Sequence, residues 1–121
     1  MLSDKNRARA AAHVKNFTDV YIHAKRDVGY NVRSFALPTF DSQDDFDGCR
    51  PEEKGTDFQE HNEFIAEVLK GLLENGVPAE PVLFHYSDFL RWLNGRKITN
   101  ENRSAYAGYL LAEAAHKGKS A

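Results

Sequence analysis

Residues 56–76, TDFQEHNEFIAEVLKGLLENG, constrain the fold of this chain more than any other stretch. Phe58, Ile65, Val68, Leu69, Leu72 and Leu73 recur at steps of three and four, while Glu60, Glu63, Glu67, Lys70 and Glu74 fall largely opposite. This is the pattern of an amphipathic helix whose broad apolar stripe other elements must cover. Thr56 and Gln59 have capping-box spacing, and Asp57 and Glu60 place negative charge at the positive end of the helix dipole. Asn75-Gly76 supplies a left-handed close, and Pro78 forbids continuation.

The remaining segments read as that cover. Ser3 caps a first helix over 3–28, ended by Gly29, in which Ala10, Val14, Phe17, Tyr21, Ala24 and Val28 keep the four-three step of a helix-on-helix seam. At ~1.5 Å per residue such a helix is about 39 Å long, longer than its partner. Residues 79–95 admit two readings. Val82, Leu83 and Phe84 could form a short strand before a helix capped by Ser87. Alternatively Val82, Tyr86, Phe89 and Leu93 keep a helical step, with Pro81 tolerated in the first turn. The second reading is preferred. A last helix runs over 99–117, capped by Thr99, with Tyr106, Tyr109, Leu110 and Leu111 as bulk and many alanines for close approach.

Residues 30–55 are the anomaly, because so long a connection is uncommon inside a compact domain. Its first part carries Tyr30, Val32, Phe35, Leu37 and Phe40, and should pack as irregular or briefly extended chain. Its second part, DSQDDFDGCRPEEKG, is acidic and turn-rich, and should be exposed and dispensable for folding. The sequence thus predicts an all-α fold: one domain over 1–121, a compact bundle of about four helices (3–28, 56–75, 81–94, 99–117) with one long acidic loop (30–55).

Charge enters where function does. The chain of 121 residues carries 16 basic and 18 acidic residues, so nothing global directs it to nucleic acid or to a membrane surface. Residues 41–67 hold ten acids against Arg50 and Lys54, between basic flanks. No apolar run is long enough to span a bilayer, and the single cysteine, Cys49, precludes an internal disulfide and suits a reducing compartment. The expected location is the cytoplasm.

Motifs exclude more than they assign. There is no HExxH, nucleophile elbow, phosphate-cradling glycine loop or dinucleotide fingerprint, so no catalytic residue, cofactor or metal ligand is assigned and the expectation leans away from an enzyme. Aligning Gly48 with the glycine of a calcium loop puts Asp45 and Asp47 on ligand positions. It also puts Gln43 and Lys54 where acids belong, which disfavours an ion. Fourteen aromatic residues are generous for a small bundle. The expected function is therefore a helical protein-interaction or regulatory module, with self-association as a homodimer through Val14, Phe17, Tyr21, Tyr86, Trp92 and Tyr109. The seam on the long first helix outruns what one chain offers to cover it, unless Tyr30–Phe40 folds back over it. A first alternative is nucleic-acid binding through Arg7, Arg9, Arg96, Lys97 and Arg103, the last three around a turn between helices. A second is a small ligand or divalent metal held within the bundle.

Overall fold

The computed structural model describes residues 2–27 and 34–120, with side chains throughout except at 26, 27 and 115–120. Its elements in chain order are α1 (Asp4–Asp27), β1 (Phe35–Thr39), α2 (Gln43–Cys49), a 3-10 turn (Pro51–Glu53), α3 (Phe58–Glu74), β2 (Ala79–Leu83), α4 (Tyr86–Leu93) and α5 (Asn100–Ser120). The all-α expectation is overturned: the chain is mostly helical, with five helices among the described residues, but it carries a two-stranded parallel sheet and is not a four-helix bundle. The segment 81–94 divides into the end of β2 and α4, and the loop 30–55 holds β1, α2 and the 3-10 turn. Val28 and Gly29 at the expected end of the first helix, and Tyr30 and Val32 of the long connection, lie outside the described residues.

Each strand carries a proline, and the register explains why both are tolerated. β1 (FALPT) and β2 (AEPVL) pair in parallel, with Phe35 beside Ala79 and Thr39 beside Leu83. The Phe35 N–H donates to Pro78 O at 2.9 Å, and the Phe84 N–H donates to Thr39 O at 3.0 Å. Alternation from those two bonds points residues 35, 37 and 39 of β1, and 80 and 82 of β2, at each other. Pro38 and Pro81 fall out of phase, each turning its missing N–H to an outer edge, where no ladder bond is lost.

A parallel pair needs a long crossover, and 40–78 supplies it with α2 and α3. The sheet then separates two cores. On one face Leu37, Ala79 and Val77 meet Ala10 of α1 and Ile65, Val68 and Leu72 of α3, with Val14, Phe17, Tyr21 and Phe35 around them. On the other, Val82, Phe84 and Phe40 meet Phe46 and Cys49 of α2, Phe89 and Leu93 of α4, and Tyr106 and Ala107 of α5. The stripe on α3 is narrower than its sequence suggests, since Leu73 is exposed and Leu69 half-buried.

α1 and α3 lie side by side and run the same way: the Asn6 amide reaches Glu60, Arg9 and His13 meet Phe64, and Val14 meets Gly71. A Cβ on Gly71 would stand 2.6 Å from Val14 Cγ2, so glycine sets how closely these helices approach. Asp57, not Thr56, caps α3, accepting from the Gln59 N–H at 3.1 Å. Thr56 instead offers its carbonyl to Gln43 Nε2.

Segment 41–54 is part of the core. Ser42 caps α2 through the Asp45 N–H, and Phe46 and Cys49 are fully buried. Burial of the thiol pushes Cys49 up to about 12, which makes it an inert packing group. Asp45 then caps α4 across space, accepting from the Tyr86 N–H at 3.0 Å and lying 3.3 Å from His85 Nδ1. Burial raises the Asp45 pKa, but the Tyr86, His85 and Ser42 hydrogen bonds outweigh it and hold the carboxyl below its usual value. Gly48 lies under the Tyr86 ring, where any Cβ would overlap it.

Candidate functional site

β1 has one edge on β2 and the other open, with α1 and α5 on opposite faces of the sheet beside that open edge. Between them lies a cleft of about 1000 Å³. Its floor is the outer edge of β1, residues 34–38 in unbroken sequence, and its walls come from α1, α3, α5 and the α2 exit. The volume sits at the upper end of small-molecule sites, about 300–1,000 Å³.

The strand edge is partly closed by α3. His61 Nε2 lies 3.0 Å from Pro38 O, and Asn62 holds both the N–H and the C=O of Phe40. The outward backbone of Ala36 is left facing the cleft. One open residue pair is too short to template an added strand, so the floor suits a compact ligand better than an extended peptide. His61 is packed between the rings of Phe40 and Phe46. Burial lowers its pKa, against the raising effect of the Pro38 carbonyl, so the ring is neutral at pH 7 and donates from Nε2.

The cleft is polar at one end and apolar at the other. Ser3, Lys5, Asn6 and Arg9 of α1, Thr56 and Glu60 at the start of α3, and Asn100 and Arg103 at the start of α5 line the polar end, with Arg50 and Glu53. Farther along α1 and α3 come Phe17, Phe35, Ile65 and Val68, with the Phe17 and Phe35 rings 4.9 Å apart. Arg9 and His13 over Phe64 mark the boundary, at 5.0 and 5.4 Å between centres. Gly108 of α5 opens the far wall, because a Cβ built there meets nothing within 4 Å.

Arg103 anchors this wall. It is 4% exposed, donates to Cys49 O at 3.0 Å, and pairs with Glu52 and Asn100. The bond to Cys49 O satisfies a carbonyl at the end of α2. Burial raises the Glu52 pKa, but its own backbone N–H and the Arg103 charge and hydrogen bond bring it below the usual value. Arg50 bonds Glu53 through Nε only, which leaves its terminal nitrogens free among the described residues.

The structure distributes the residues that sequence singled out. Val14, Phe17 and Tyr21 are half-buried against the α1–α3 core, where Phe35 and Leu37 cover the seam. Tyr86, Trp92 and Tyr109 sit around α4 and α5, with Trp92 between Tyr106 and Tyr109 and under the Arg96 guanidinium at 4.3 Å. The first group lies against one core, while Tyr86 and Trp92 pack on the other with Tyr109 exposed beside them, so the six make no single patch. Of the five basic residues, Arg103 is buried and Arg96 is spent on the carbonyls of Leu93 and Trp92 at the end of α4. Lys97 and Arg7 are exposed, and Arg9 lines the cleft. Sequence reasoning missed His61, Arg50 and Gly108 as wall residues; they come together only through the sheet, and nothing in their spacing announces it.

Asp41, Asp45 and His85 also bring three potential metal-ligand atoms within 4.8 Å of one another. The capping bonds of Asp45 account for that proximity. Asp47, the other acid of the calcium alignment, accepts from Gln43 Nε2 and the Gly55 N–H and holds the loop closed.

Comparison with known proteins finds no family model, no curated protein and no solved structure that matches this chain. Among the described residues no helix is long and apolar enough to cross a membrane.

Proposed function

We propose that this is a non-enzymatic binding protein whose ligand occupies the cleft between α1 and α5. The observation that supports it is the cleft itself: about 1000 Å³ floored by an open strand edge and built from five elements of a small chain. A small fold that buries two full cores has no packing reason to keep such a space. Catalysis is not proposed, because the neutral imidazole of His61 is already bonded to Pro38 O and, among the described residues, no nucleophile is bonded to it.

The test uses Gly108→Phe. A side chain there enters open space, and replacing a mid-helix glycine removes a cost of about 0.5–1 kcal/mol, so the variant should fold. Compounds that raise the melting temperature of the unmodified protein should lose that effect on Gly108→Phe. Equal stabilisation of both would move the binding site away from the cleft.

Self-association remains a second reading, favoured by one observation. Val20 and Ile22 on α1 and Leu73 on α3 are 56%, 47% and 56% exposed. Sedimentation equilibrium tests it directly. A mass that stays at 13.7 kDa across micromolar concentrations would remove it.

A further inference from the structure

We infer that the cleft takes an amphipathic anion: a carboxylate or phosphate group at its polar end, with an apolar body lying toward Phe17 and Phe35. This rests on the cleft being the working site. Four features select that chemistry.

The first is the helix ends. Residues at the starts of α1, α3 and α5 all line the polar end, so three positive dipole ends converge there. The second is charge. Lys5, Arg9, Arg50 and Arg103 face that end against Glu53 and Glu60, and with Glu52 held on Arg103 one cation is left in excess, within a chain that is acidic overall. Among the described residues the two terminal nitrogens of Arg50 are unspent, the fork that carboxylates and phosphates fill. The third is Arg103, buried on the cleft wall, whose Nε has no hydrogen-bond partner among the described residues. Such a donor is costly to leave unsatisfied, and an anion at the polar end lowers that cost through its field even where Arg103 stays on Glu52. The fourth is segregation. Phe17, Phe35, Ile65 and Val68 follow the charged residues along the same cleft, and a free inorganic anion would leave them uncovered.

Calorimetric titration with octanoate, octyl phosphate, octanol and inorganic phosphate separates the two halves of the proposal. Octanoate or octyl phosphate should bind at least about tenfold more tightly than octanol and than inorganic phosphate. Arg50→Gln should weaken the octyl anions by about tenfold and leave octanol unchanged. Arg9→Gln, on the exposed side of α1, provides the same test should Arg50→Gln misfold. Octanol binding as tightly as octanoate would overturn the anion while leaving the cleft intact as a site. Inorganic phosphate binding as tightly as octyl phosphate would overturn the apolar half. Failure of every octyl compound to bind would overturn this inference and the cleft reading together.

Discussion

At the scale of single residues, the half-buried His61 and the buried Arg103 hold the cleft in shape, and each makes a measurable claim. His61 titrates below its usual value because burial favours the neutral ring. Its contribution to stability is complete above the unfolded pKa, 6.5, and is lost as pH falls through that value toward the lower folded one. Asp45 and Glu52, both held below their usual carboxyl values, lose their contributions only in more acid solution. The melting temperature should therefore fall in two stages on acidification. His61→Gln should abolish the first stage and leave the second, and an unchanged profile would contradict the buried neutral ring. Arg103 makes a different claim. Arg103→Met keeps most of the volume but strands Cys49 O, at a cost of about 1–3 kcal/mol by chemical denaturation. The half-exposed position of Glu52 argues against the larger figures typical of fully buried pairs.

At the scale of elements, segment 41–54 should not be replaceable by a flexible linker, because α2 carries Phe46 and Cys49 into the core and Asp45 onto α4. Phe46→Ala should cost about 3–5 kcal/mol, read from denaturant midpoints. A linker variant that melts within a few degrees of the parent would return the segment to the surface. The reason this was not legible in sequence is physical. Phe46 is the one large apolar residue among seven in α2, and two of its three acids, Asp45 and Asp47, are spent on caps and turns rather than on solvent. By contrast the periodicity of α3 and the α1 seam were legible, since Ala10, Val14, Phe17, Ile65, Val68 and Leu72 pack where their spacing places them. The strands were less legible, since Val82 also keeps a helical step with Tyr86, Phe89 and Leu93, and only the register shows that Pro38 and Pro81 cost no ladder bond.

At the scale of the whole molecule, the two-stranded sheet is what makes a site. A bundle would have packed α1 against its neighbours along its length. Instead the sheet holds α1 and α5 on opposite faces and leaves the outer edge of β1 between them, where residues far apart in sequence meet. None of that was legible beforehand, because a cleft belongs to the arrangement of elements and not to any one of them. The most direct measurement is an octanoate titration followed by backbone amide chemical shifts. The changes should centre on Ala36, His61, Gly108 and Ser104, a further residue of the α5 wall, and saturate together. Changes confined to the exposed residues Val20, Ile22 and Leu73, with those four amides unmoved, would contradict that.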